Sequence, residues 1–220
     1  SGLEFRAASS ASDALAAMRS GGPSPTSQGR TAYRAMGMAA RTVPVIVFHG
    51  SSDTTVAPVN ADQIVAQWAK TNDLASDGSE DGNITDSADL TSTGTVPSGR
   101  SYSRASYRDK RSGSEVMAKV IVQGMGHAWS GGSSAGSFSD PRGPDATALS
   151  WEFFRAHPMP TTMPPFDGGT DGGGPVDMRT PSDLAADLAT PDLALPDLGV
   201  RDMATPDLAT PDLGVRVMAT

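Results

Sequence analysis

Six residues in a row, Val43-Pro44-Val45-Ile46-Val47-Phe48, are apolar, and the run ends at His49-Gly50. A strand that is apolar at every position, rather than at every second one, needs cover on both faces. That is the situation of a strand inside a layered α/β sheet. The flanking segments can supply the cover. Ala8, Ala11, Leu15 and Met18 recur at helical spacing, predicting a helix over Ala7–Met18 that Gly21-Gly22-Pro23 stops. A shorter helix is expected over Gln28–Met36. After the strand, Asn60 with Gln63 three residues on has the form of a capping box. Ala61, Ile64, Val65 and Trp68 then line one face, and the pattern ends at Thr71-Asn72-Asp73.

Residues 75–99 are rich in Ser, Asp, Gly and Thr and read as a solvent-exposed excursion. Ser101–Arg108 alternates aromatic and polar residues, and Asp109-Lys110-Arg111-Ser112-Gly113 supplies a turn. Val116–Val122 then places Val116, Ala118, Val120 and Val122 on one face, so the two segments predict a hairpin. A last helix is expected over Asp145–Ala156, with Ala146, Leu149, Phe153 and Phe154 inward and His157-Pro158 at its end. This order of elements is that of the last third of a doubly wound α/β domain, with too few strands to complete such a sheet.

Composition matters where the chain changes character. Residues 1–160 carry 14 basic and 15 acidic side chains, whereas residues 161–220 carry 3 and 10. Nearly all of the net charge of −8 therefore lies in the last 60 residues, which hold one aromatic, Phe166, against eight prolines and seven glycines. Such a segment buries too little apolar surface to offset the entropy of ordering it. Residues 159–180 read as a Pro/Gly-rich linker and 181–220 as an acidic low-complexity tail. In that tail Pro-Asp-Leu recurs at 191, 196, 206 and 211, and PDLGVRDMAT returns fifteen residues on as PDLGVRVMAT. A five-residue period is too short for helical repeats and its prolines block a continuous helix, so an extended, disordered stalk is expected. The folding unit is expected within residues 1–158.

Several classes fall away. A sequence pI near 4.7, with a near-neutral first part, lacks the basic face of a nucleic-acid binder. No apolar stretch approaches the ~18 residues of a membrane-spanning helix. The chain has no cysteine, hence no disulfide, thiolate zinc site or cysteine nucleophile. It begins Ser1-Gly2-Leu3 without Met or a charged-plus-apolar leader, which reads as a processed N-terminus or an internal cut.

Three histidines are available for chemistry. His157 ends a helix, where a cation suits the dipole, and His49 follows the strand as a turning residue. His127 differs: it lies five residues past the second apolar strand, in Gly124-Met125-Gly126-His127-Ala128-Trp129-Ser130-Gly131-Gly132. Asp53 lies five residues past the first apolar strand. If both strands run parallel in one sheet, Asp53 and His127 emerge at the same edge, where open α/β sheets bind their ligands. A carboxylate that orients an imidazole is two-thirds of a nucleophile–His–acid triad.

The match to G-x-S-x-G at Gly132-Ser133-Ser134-Ala135-Gly136 does not supply the nucleophile. It has neither a strand before it nor a helix after it, and it follows His127, whereas the chain order of that elbow is Ser, acid, His. Residues 1–52 contain no elbow, so the serine is expected to precede Ser1. A metal set of His49, Asp53, His127 and Asp140 finds no support in its spacing, and no cofactor is called for.

The segments VPVIVFHGSSDTTVAPVNADQIV, YSRASYRD, GMGHAWSGG and FSDPRGPDATALSWEFF occur in that order. Over roughly residues 1–157 the chain resembles the polyhydroxybutyrate-depolymerase-like esterases of the α/β-hydrolase fold, a group similar to feruloyl and acetylxylan esterases. The resemblance implies the C-terminal portion of a doubly wound, mostly parallel α/β-hydrolase sheet. It also implies a serine esterase with Asp53 as triad acid, His127 as triad base and the serine supplied from before this chain. A polyester or acylated polysaccharide would be the substrate, and the protein would be exported. Trp129 and Tyr102 are candidates for lining the acyl or polymer site. The repeat tail lies outside the resemblance and would link the domain to a cell surface or another domain. The alternative is a non-catalytic surface or interaction protein that keeps the hydrolase scaffold.

Overall fold

In the computed structural model, which describes residues 2–158, the order along the chain is α1 (Ala11–Ser20), α2 (Pro25–Met36), a 3-10 turn (Gly37–Ala39), β1 (Val45–Gly50) and α3 (Val59–Asp77). Then follow β2 (Leu90–Thr95), β3 (Ser101–Arg108), β4 (Glu115–Val122), β5 (Trp129–Ser130), β6 (Ser139–Asp140) and α4 (Ala146–Arg155). The expected linker over 159–180 and tail over 181–220 lie outside the described residues.

The apolar run becomes β1, and it pairs in parallel with β4 from Val45 opposite Met117 to Gly50 opposite Val122. Alternate residues of these strands divide between two cores. Val45, Val47, Met117 and Ile121 pack with Ala61, Val65, Trp68 and Ala69 of α3. Phe48, Val120 and Val122 pack on the other side with Tyr102, Met125 and Ala128. Two-sided burial is what an unbroken apolar strand requires. The protein is thus α/β, with helices packed on a four-stranded sheet of order β1-β4-β3-β2.

The expectation of a mostly parallel sheet is corrected. Only β1–β4 is parallel, while β4–β3 and β3–β2 are antiparallel. The short turn after Arg108 permits only a hairpin, since a parallel return needs a crossover of a dozen residues or more. The excursion over 75–99 also contains a strand, β2, exposed along almost its whole length. Its sequence, Leu-Thr-Ser-Thr-Gly-Thr, has no apolar alternation, and pairing with β3 makes it a strand.

The helices differ from expectation as well, α2 starting at Pro25 rather than Gln28. α1 begins at Ala11, because the Ser10 hydroxyl accepts the Asp13 N–H at 3.1 Å and caps it there. Of its apolar residues Ala17 is buried, whereas Leu15 is exposed. In α4, Phe153 is buried and Phe154 is not. α3 does not start from Asn60: its N-cap position is Pro58, and the Asn60 amide instead donates to the carbonyls of Met18 and Ala57. Nor does it end at Thr71-Asn72-Asp73. Those residues are fully buried and satisfied: Thr71 donates to Gln67 O, Asn72 bonds both N–H and C=O of Val43 at 2.9 Å, and Asp73 accepts from Gly82 N and Ile84 N. Polar residues read as a helix end are there the points where α3 holds its neighbours. α2 packs on α3 closely enough that a Cβ at Gly29 would meet Gln67 O at 2.7 Å.

Glu4 is 4% exposed, and neither carboxyl oxygen has a hydrogen-bond partner among the described residues. Burial raises its pKa from 4.5 to about 7. Between those values the unfolded chain releases a proton that the folded chain keeps, so stability falls as pH rises through the window. The shift corresponds to roughly 3 kcal/mol at most. Glu4→Gln, which cannot ionise, should leave urea stability near pH 4 little changed and raise it by up to ~3 kcal/mol at pH 8. Equal effects at both pH values would refute this account.

Candidate active site

The site is built where β1 and β4 end side by side. At Gly50 the backbone of the loop after β4 lies directly on the strand: an added Cβ would sit 2.2 Å from Met125 O and 2.6 Å from Gly126 O. Only glycine permits that approach. Main-chain bonds then stitch the two loops, Ser51 N–H donating to Val122 O and Ser52 N–H to Met125 O, each at 3.0 Å. The Ser51 hydroxyl accepts from Gly124 N–H at 2.8 Å. Gly124 has φ of +67°, which lets the chain turn back at once after β4.

These constraints bring together the two residues singled out from sequence. His127 Nδ1 lies 2.9 Å from Asp53 Oδ2. The other oxygen, Oδ1, accepts the N–H groups of Thr55 and Val56, both at 2.9 Å, so the carboxylate is fixed from both ends. The exposures differ sharply: the Asp53 side chain is 1% exposed and that of His127 39%. Burial alone pushes the Asp53 carboxyl up, but the bonds from Val56 N–H, His127 and Thr55 N–H outweigh it and hold the group below the usual carboxylate range. Asp53 is thus an anion held still in the interior, beside an imidazole that reaches the surface.

His127 lines a hollow of about 170 Å³ with Ala128, Trp129 and Phe138. Trp129 N–H donates to Phe138 O at 2.7 Å, and the short β5–β6 pair keeps the two aromatics beside the imidazole. Both are exposed, Phe138 more so than Trp129. Sequence reasoning missed Phe138; the only signal for it was a lone aromatic in a Gly/Ser-rich loop. Tyr102 does not line this hollow. It packs against Val120, Val122 and Met125 and borders a different one, of about 300 Å³, with Pro144 and Leu149.

Of the remaining candidates, His49 alone reaches Asp53. Ser134 lies in an exposed loop between β5 and β6, with no helix following it directly. His157 joins the end of α4 to the start of β4, its ring nitrogens 2.6 Å from Phe153 O and Glu115 O. Asp140 is bonded by Arg100 at 2.6 Å. Among the described residues no group of three or more His, Asp or Glu side chains could hold a metal ion, and no helix is long and apolar enough to cross a membrane. His49, read as a turning residue, is buried with Nε2 3.6 Å from Asp53 Oδ2. No protein-family model matches the chain, and no curated protein matches it.

Gly50→Ala should therefore act on the site as well as on stability. The clash is with backbone, which cannot swing aside, so a loss of ~1–3 kcal/mol or more is expected in urea denaturation. Ser52→Ala, which leaves every main-chain bond in place, should be within about 0.5 kcal/mol of the unaltered chain. A near-neutral Gly50→Ala would show that the loops are not packed on the strand in this way.

Proposed function

We propose that the chain carries the acid–base pair of a serine carboxylic-ester hydrolase of the α/β-hydrolase fold, acting on a polyester of polyhydroxyalkanoate type or on an acylated polysaccharide. The observation that carries this reading is the 2.9 Å contact between a buried carboxylate and a surface imidazole at the carboxyl ends of two adjacent parallel strands. With Nδ1–H donated to Asp53, the remaining ring nitrogen, Nε2, is the basic one. It takes the proton of a serine hydroxyl as the serine oxygen bonds to the ester carbonyl carbon. It then returns that proton to the alcohol as the C–O bond of the ester breaks. Water repeats the cycle on the acyl-enzyme. Asp53 keeps the ring in the required tautomer and stabilises the imidazolium without itself taking the proton.

Trp129 and Phe138 flank the imidazole and would offer an apolar surface to the acyl group or polymer. The resemblance to the polyhydroxybutyrate-depolymerase-like esterases supports an exported enzyme, with the acidic repeat region joining it to a cell surface or another domain.

In the full-length natural protein, His127→Ala should lower kcat for p-nitrophenyl butyrate by about 10³-fold or more, with an unchanged far-UV spectrum. Ser134→Ala should leave turnover within twofold. Retained turnover in His127→Ala would remove it from the chemistry and favour the alternative of a non-catalytic interaction protein on the same scaffold. A loss confined to Ser134→Ala would make the loop serine the nucleophile.

A further inference from the structure

Two histidines, not one, face the Asp53 carboxylate. His49, the penultimate residue of β1, is 1% exposed, and its Nε2 lies 2.8 Å from Val56 O and 3.6 Å from Asp53 Oδ2. A carbonyl oxygen only accepts, so Nε2 carries the ring proton and donates it to Val56. Nδ1 is then a bare acceptor, buried and without a partner among the described residues. Space-filling alone gives no reason to bury a polar nitrogen in this way. Val56 is held from both sides, its N–H donating to Asp53 Oδ1 at 2.9 Å and its carbonyl accepting from His49. The carboxylate, the Val56 peptide and the His49 ring thus close a circuit behind the face that Asp53 turns to His127.

We propose that His49 is a positioning residue: a neutral, buried N–H donor that pins the Val56 carbonyl and so holds the Asp53 carboxylate where His127 Nδ1 meets it. Burial, the largest influence on the ring, holds its pKa below the ordinary imidazole range, so His49 does not compete with His127 as a cationic partner of Asp53. Among the described residues, the other charged or titratable groups that act on the ring are Asp53 and His127 themselves. The inference rests on Asp53 and His127 acting as an acid–base pair, and its test separates the two.

The test reads ring ¹⁵N shifts of the full chain at about pH 9, above the ordinary imidazole range, where they report which nitrogen of each histidine carries the proton. Expected are Nε2–H on His49 and Nδ1–H on His127. Asp53→Ala should move His127 towards the Nε2–H form. His49→Phe, which keeps a ring but removes the donor, should move it the same way, and His49→Gln, which restores an N–H towards Val56, should bring it back. A His127 tautomer unchanged by His49→Phe overturns the positioning role while leaving the pair intact. Loss in both His49 variants also overturns it, because ring shape rather than the N–H would then hold Asp53. A tautomer indifferent to Asp53→Ala overturns the pair, and this inference with it. If His49→Phe fails to fold, the unaltered chain decides: a proton on His49 Nδ1 overturns the proposal and one on Nε2 supports it.

Discussion

The contact between the end of β1 and the loop after β4 is the constraint on which the rest of the structure depends. Strand pairing alone brings Gly50 opposite Val122, but it does not determine where the two chains go next. The absence of a side chain at Gly50 lets Met125 and Gly126 lie on the strand itself, and the Ser51 and Ser52 amides then tie one loop to the other. Residues 74 positions apart in sequence are thereby held at hydrogen-bond distance. The hydrophobic division of β1 between two cores serves the same end, since it fixes the strand from both faces before either loop begins.

The chemistry of the site comes from an asymmetry of solvation. A carboxylate taken out of water is unfavourable unless hydrogen bonds replace the water, and Asp53 has them from two backbone N–H groups and the His127 ring. The imidazole, by contrast, stays in contact with solvent at one side. Charge is thus stored inside and exchanged outside. Glu4 illustrates the opposite case: buried to a similar degree, with no partner among the described residues, it remains protonated well above the ordinary range of a glutamate.

Much of this was legible in the sequence, for stated physical reasons. The unbroken apolar run announced a strand covered on both sides, and the places of Asp53 and His127 soon after two apolar strands announced a shared edge, given parallel pairing. The expected equal offset does not hold, because β1 runs on through His49-Gly50 and leaves Asp53 three residues past its end against five for His127. The antiparallel half of the sheet was legible as a hairpin, and that hairpin, extended by β2, makes two of the three strand pairings antiparallel. β2 was invisible because a polar edge strand owes its form to its neighbour, not to its own residues. The true end of α3 was missed for a related reason. Thr71, Asn72 and Asp73 look like a solvated terminus until Val43, Gly82 and Ile84 come round to bond them. Phe138 and the role of His49 depend on distances between loops, which no local pattern encodes.

The holder of the Asp53–His127 pair is made almost wholly of main-chain groups: the amides of Ser51, Ser52, Gly124, Thr55 and Val56 and the carbonyls of Val122 and Met125. A framework of that kind is indifferent to most side chains hung upon it. Outside a few positions such as His49 and Gly50, the residues bordering the pair can therefore change without moving it, so that the walls of the hollow beside His127 are open to substitution while the carboxylate–imidazole contact stays the same. Such change would cost little in fold, which makes the neighbourhood of Trp129 and Phe138 the place where it should accumulate.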